Sequence, residues 1–225
     1  MPKPTKSIKS FIPYLPLYVA VPVAYALVFN YLGYPIDWRA YGIGALGWLI
    51  ALILRTPVIQ IAGRLAKPSS AQLIVVNSSG PLEEIVRLVV LALTSFTLSN
   101  ALSIGQGWAA IEVVYAAING IMMLVIANGT DEKSIEARKM MEQQGMRTDL
   151  SPLVGVIERV TASAFHIGAA LLIACQPWFV LLLVPAHSLL NLGAVRLMKT
   201  SIVWTEVFVA VVGIAVLAAG WLVHV

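Results

Sequence analysis

Glu83, Glu84, Arg87, Glu112, His166, His187 and Asn191 all lie inside stretches that are otherwise apolar enough to cross a bilayer. A charged side chain at bilayer depth costs about 3 kcal/mol on insertion scales, so such groups are retained for a partner, a cavity or a reaction. Carboxylates, imidazoles, a guanidinium and an amide are together the parts of a hydrolytic centre. Cutting a peptide bond needs a water, a base that takes its proton, and donors for the oxyanion. Glu83 or Glu84 suits the base, with Arg87 orienting it, and the Asn191 amide suits the oxyanion. His166 and His187 with Glu84 match the two-histidine, one-glutamate set that binds catalytic zinc, but the same imidazoles serve equally well to hold a water without metal. Structural alternatives stand beside each assignment. Glu83 and Glu84 also fit a helix cap paired with Arg87, the histidines fit satisfied interhelical groups, and Asn191 fits helix-to-helix bonding. Glu112 suits a ligand, a second acid or a partner of Arg159. Glu158 with Arg159 reads as a structural ion pair, and Glu206 and His224 as interfacial groups without chemistry.

The composition dictates where these groups sit. Of 225 residues, 59% are hydrophobic and only 12% charged, and the mean hydropathy is +0.86. Soluble domains run near about 25% charged, so the chain is expected to be an all-α, polytopic bundle in the cell membrane, one integral domain over residues 1–225. The net charge of +4 then reports orientation and contact with anionic lipid, not nucleic acid. Cys175 is the lone cysteine, which excludes an intrachain disulfide and a thiol metal cluster. The basic start, residues 1–10, is not followed by a small-residue cleavage pattern, so the first span is expected to be retained.

Seven spans are expected, near residues 11–32, 40–62, 71–98, 103–127, 152–175, 177–197 and 202–223. The third is broken: residues 71–76 precede Asn77-Ser78-Ser79-Gly80-Pro81, and a second helix starts near Leu82. Ser79 or Gly80 would cap it and Pro81 would occupy its first turn, with Glu83 and Glu84 at its N-terminus. Backbone of that kind survives at membrane depth only beside protein or a wet cavity. Gly42, Gly44, Gly47, Gly105 and Gly107 offer small faces for close helix packing. Residues 128–151 form a polar loop between spans four and five, with a short helix at 132–144. Lys3, Lys6, Lys9, Arg64, Lys67, Lys133, Arg138, Lys139, Arg147, Arg196 and Lys199 fall on one side and only Arg39 on the other, so the N-terminus is expected in the cytoplasm.

Counting from the turns places the polar groups level. Glu84 lies 15 residues before Ser99 and Glu112 lies 12 after Asn100, a height difference of about 5 Å. His166 is 10 residues before Gln176 and His187 is 11 after it. Helical spacing also groups Arg159 with His166, Glu112 with Tyr115 and Asn119, His187 with Asn191, and Glu83 with Arg87.

Glu83-Glu84-Ile85-Val86-Arg87 resembles the opening motif of the membrane-embedded CAAX protease and bacteriocin-processing superfamily. The run from Glu158 to His166, and His187-Ser188-Leu189-Leu190-Asn191, resemble later motifs of its YhfC and PrsW branches. Gly105-Gln106-Gly107 leading to Glu112 is similar to the YhfC pattern. The CAAX enzymes space the arginine one residue further on and carry histidine where Glu112 stands, which puts this chain nearer YhfC than prenyl-protein processing. The resemblance implies an intramembrane endopeptidase, glutamate-dependent or metallo-type, acting on a membrane-associated peptide or protein. It implies Glu83, Glu84, Arg87, Glu112, His166, His187 and Asn191 as its site. It also implies kinship with the APH subunit of gamma-secretase, and hence a second reading, a non-catalytic scaffold or chaperone subunit. A third reading, a small transporter built around the broken span, is disfavoured because no inverted repeat is visible.

Overall fold

The computed structural model describes residues 8–143 and 151–224. Lys3, Lys6 and Arg147 of the basic set, Gln144, and most of the second half of the polar loop lie outside the described residues. Among those described, every regular element is a helix. In chain order they are α1 (Leu15–Tyr31), α2 (Trp38–Leu65), α3 (Pro68–Asn77), α4 (Ser79–Leu93), α5 (Leu98–Asn128), α6 (Glu132–Gln143), α7 (Pro152–Cys175), α8 (Val180–Met198) and α9 (Ile202–Leu222). Six helical stretches, those of α1, α2, α5, α7, α8 and α9, are long and apolar enough to cross a membrane. The expected third span is not one of them, because α3 and α4 are two shorter helices.

The helix ends follow from local chemistry. Gly33, the one positive-φ residue among those described, closes α1. Its N–H reaches Asn30 O and the Tyr34 N–H reaches Phe29 O, so the last carbonyls of α1 are satisfied. Asp37 caps α2, its carboxylate accepting from the Arg39 and Ala40 N–H groups. Asp131 accepts from the N–H and the hydroxyl of Ser134 at the start of α6, and those bonds hold its carboxyl below the usual range.

Two expectations about the broken span need correction. The break is confined to Ser78, and Ser79, Gly80 and Pro81 already belong to α4. The Ser78 and Ser79 hydroxyls do not cap α4; they turn back onto Val75 O and Val76 O of the preceding helix. Glu83 and Glu84 therefore sit past the first turn of α4, out of reach of N-terminal capping. At the other end α4 stops at Leu93, and the Thr94 hydroxyl bonds back to Val90 O. The reversal into α5 thus falls at residues 94–97, earlier than the expected Ser99-Asn100.

α7 is the central helix: residues 163–174 are all buried. Its small residues let neighbours approach to backbone distance. A side chain added at Gly168 or Gly220 would strike the facing backbone of α9 or α7, and one at Gly213 would strike Thr161 O. On the opposite flank Gly44 abuts the backbone of Ile104, and Gly107 that of Tyr41, which locks α2 to α5. The Tyr25 hydroxyl on α1 donates to Val160 O on α7 at 2.8 Å. Large apolar side chains such as Leu181, Leu182, Val211 and Ile214 face outward and are exposed. Apolar outside and charged inside is the inverse of a soluble protein.

Candidate functional site

The polar side chains within the bundle converge on one cluster contributed by α2, α4, α5, α7 and α8. Glu84 and Arg87 are fully buried at its back. Arg87 Nε lies 3.3 Å from Glu84 Oε2, and its two other nitrogens reach α7, one to His166 O at 2.7 Å and one to His166 Nδ1 at 2.9 Å. Its guanidinium also sits over the Trp108 ring, 4.5 Å from the centroid. A guanidinium only donates, so His166 Nδ1 accepts and the ring proton of the neutral form stands on Nε2. That nitrogen is 2.5 Å from Glu112 Oε2.

The second oxygen of Glu112 takes Arg159 at 2.5 Å, and Arg159 also holds Glu158 at 2.7 Å. Glu112 is thus the partner of both Arg159 and His166, and Glu158 with Arg159 is the ion pair expected from the sequence. On the other side, His187 Nδ1 is 2.7 Å from Glu84 Oε1, and Phe165 packs on the imidazole at 4.9 Å between centroids. Among the described residues His187 Nε2 has no hydrogen-bond partner.

Glu83 is separate from this chain of pairs. Its Oε1 takes Arg55 of α2 at 2.5 Å, and its Oε2 accepts from the Trp108 indole at 3.4 Å. The expected Glu83 to Arg87 pairing along one helix face does not form, because Glu84, also within a turn of Arg87, holds it instead. Asn191 donates to the Ser79 hydroxyl at 2.7 Å, and the neighbouring Ser188 hydroxyl donates to Asn77 O. These two bonds fasten α8 across the break between α3 and α4.

A cavity of about 440 Å³ opens on this cluster. Glu83, Glu112, His166, His187, Asn191 and Arg55 all line it, as do Tyr115 and Asn119. Glu84 and Arg87 do not; they act only through the residues in front of them. Of the seven residues singled out in the sequence, five therefore face the cavity and two support it. In the cluster four carboxylates (Glu83, Glu84, Glu112, Glu158) meet three guanidinium groups (Arg55, Arg87, Arg159).

The donor set can be tested for a metal. Glu83, His166 and His187, and not Glu84, are the three whose ligand atoms come within 4.8 Å of one another. Yet both nitrogens of His166 are engaged, by Arg87 and Glu112, and both oxygens of Glu83 are engaged, by Arg55 and Trp108. His187 Nε2 is open, and a hydrogen-bonded carboxylate such as Glu83 keeps lone pairs to offer. His166 could ligate zinc only by giving up Arg87 or Glu112, so the arrangement fits a metal poorly, and Glu84 is spent on His187.

Two contributors escaped the sequence reading. Arg55 stands alone in an apolar run, which was itself the signal that it needs a buried partner. Trp108 lies within α5 and is fully buried, and a buried indole N–H must find an acceptor. Gly105 and Gly107 serve packing, and His224 Nε2 contacts Leu171 O. The Glu206 carboxylate, read as interfacial, is buried without a hydrogen-bond partner among the described residues.

Compared with known proteins, the chain matches no family model, no curated protein and no solved structure.

Proposed function

We propose that this chain is an intramembrane endopeptidase that hydrolyses a peptide bond of a membrane-associated polypeptide with a glutamate-activated water. The observation that carries the reading is the convergence of Glu83, His166 and His187 on one cavity, with ligand atoms within 4.8 Å of one another. That spacing suits a single water with several polar partners.

In this reading Glu83 takes the proton of the water as oxygen attacks the scissile carbonyl carbon, and later gives it to the leaving amine. His187 holds the same water through Nε2, its ring fixed by the bond from Nδ1 to Glu84. Arg87 sets the tautomer of His166 and, by pairing Glu84, keeps the supporting carboxylate in place. The amide of Asn191, one hydrogen of which is already given to Ser79, has a second to offer the oxyanion. The donor set gives no reason to route a step through metal. The order of motifs along the chain, from Glu83 to Asn191, is similar to that of the YhfC branch and supports the same assignment.

The membrane topology belongs to this proposal. The α3–α4 pair crosses as a seventh, broken span, and the N-terminus is cytoplasmic. The basic residues Arg64, Lys67, Lys133, Arg138, Lys139, Arg196 and Lys199 stand at or beyond the C-terminal ends of α2, α5 and α8, which run in one direction by connectivity. The cavity then opens toward the cytoplasmic half of the bilayer.

A scaffold role akin to the APH subunit is favoured by one feature: nearly every charge in the cluster is already paired inside the chain. Purified protein in nanodiscs, incubated with a transmembrane peptide, separates the two. The endopeptidase reading requires cutting by the native chain and none by a folded Glu83→Gln variant. A folded native chain that never cuts a panel of such peptides leaves the scaffold.

A further inference from the structure

Arg55 connects two chambers. Besides the cavity at the cluster, a second one of about 350 Å³ lies between α3 and α8. Arg55, Glu158 and Asn191 line both, so the two adjoin with Arg55 on the wall they share. The outer chamber is walled mainly by apolar residues of α3 and α8, including Val75, Val76 and Val195, with Lys199 at its rim. Among the described residues its only carboxylate, Glu158, is already taken by Arg159 at 2.7 Å. Arg55 and Lys199 are therefore the positive charges that a molecule in this chamber would meet, with Glu158, neutralised in part by Arg159, on the same wall.

Arg55 is only partly committed. It gives one nitrogen to Glu83 at 2.5 Å, while its Nε is buried with no hydrogen-bond partner. A buried donor without an acceptor is unfavourable, so Arg55 gains from a second acceptor that brings its own charge. Any carboxylate arriving through the outer chamber competes with Glu83 for the same guanidinium. Glu83 is the residue whose free lone pairs the hydrolytic reading requires, and in the resting arrangement Arg55 and Trp108 cover both its oxygens.

Resting on that reading, we infer that Arg55 is an anion receptor: the chain takes polypeptides with an acidic side chain near the scissile bond, and that carboxylate draws Arg55 away from Glu83. Substrate docking and release of the base are then one event. A neutral peptide leaves Arg55 on Glu83 and finds a weaker base, because the guanidinium stabilises the carboxylate. The outer chamber holds the acidic flank between α3 and α8, with Lys199 as its second positive contact.

Binding can be tested without any cleavage. The probes are two labelled polyleucine transmembrane peptides, one with an Asp-Glu pair at the juxtamembrane flank and its twin with Asn-Gln, titrated onto the full chain in phosphatidylcholine nanodiscs. A hydrogen bond to a charged group supports about tenfold or more in affinity, so the acidic peptide is expected to bind native protein about tenfold tighter than its twin. Arg55→Gln should erase the difference and Arg55→Lys should keep part of it. Glu83→Gln, which frees the guanidinium, should tighten the acidic peptide relative to its twin and so widen the difference. Should Arg55→Gln fail to fold, Arg55→Lys and Glu83→Gln carry the test. Equal binding of the two peptides, binding of neither, or a preference that survives Arg55→Gln overturns the inference. Loss of the preference when phosphatidylglycerol is added shows that a lipid headgroup is the anion taken, and also overturns it. Acidic peptide that binds as stated but is never cut would remove the endopeptidase and leave the receptor, whereas equal cutting of both peptides would do the reverse.

Discussion

His187 Nδ1 and Glu84 Oε1 stand 2.7 Å apart, joining α8 to α4 at a point where Glu84 is fully buried and His187 reaches the cavity. A carboxylate oxygen accepts, so the imidazole donates through Nδ1 and leaves Nε2 bare toward the cavity. In the proposed reaction the pair divides the labour: His187 meets the water and Glu84 aims it. His187→Asn is expected to abolish peptide cutting. Glu84→Gln keeps a hydrogen-bonding group behind the ring but loses the charge, and should slow cutting by about tenfold to a hundredfold. Turnover of a fluorogenic transmembrane peptide measures both, and equal loss in the two variants would contradict the division.

Arg87 illustrates what buried pairing costs. It contacts Glu84, His166 and the Trp108 face while completely shielded. Removing one partner of a buried ion pair strands the other and costs about 3–5 kcal/mol. Arg87→Met should therefore lower the thermal unfolding temperature markedly in detergent. Glu84→Gln combined with Arg87→Met removes the stranded charge and should recover part of that loss. A double variant less stable than Arg87→Met alone would show that the pair is not the source of the cost.

The glycine contacts give a sharper stability test. A Cβ at Gly107 meets the backbone of Tyr41, whereas one at Gly42 meets nothing within 4 Å. Gly107→Val is expected to pry α5 from α2 at a cost of about 1–3 kcal/mol. Gly42→Ala should be neutral or slightly stabilising, because it adds helix propensity in open space. Unfolding by heat, followed by circular dichroism, separates them.

The state of His166 bears on metal. With Nδ1 taken by Arg87 and Nε2 by Glu112, the ring has no lone pair to offer unless one of those contacts breaks. Native protein is therefore expected to cut its peptide with substoichiometric zinc, and chelation should leave the rate unchanged. Elemental analysis and a chelator titration on the same active sample measure this. Stoichiometric zinc whose removal stops turnover would mean that His166 changes partners in the working enzyme.

Much of this was legible in the chain, for reasons that particular residues make plain. The bounds of α7 could be read directly, because Ser151 and Pro152 start it and Gln176-Pro177 stops it. The level placement of His166 and His187 followed from the near-equal counts, 10 and 11 residues, on either side of that turn. The pairing within the cluster was not legible. Glu83 and Glu84 both stand within a turn of Arg87, and helical spacing cannot choose between them. The choice is made by Arg55 and Trp108, which come from α2 and α5 and occupy Glu83. The end of α4 was likewise hidden: Thr94, Ser95 and Thr97 follow Leu93, but Phe96 and Leu98 interleave with them and make the segment read as a continuation of the helix.

The topology makes the last prediction. α5 and α6 meet where Arg138 of α6 donates to Ala127 O and Gly129 O, so α6 is tied to the end of α5 that carries the basic residues. In the proposed topology the basic bias makes that end cytoplasmic. Trp178, exposed at the turn between α7 and α8, stands at the opposite end of the bundle. With the exposed Cys175 replaced by serine, Glu136→Cys and Trp178→Cys give single thiols at the two ends. An impermeant maleimide should label Trp178→Cys in intact cells and Glu136→Cys only after permeabilisation. The reverse pattern would turn the cavity toward the outside and move any substrate to that face. Labelling of both thiols in intact cells would mean that the helices between them do not form a sealed set of crossings.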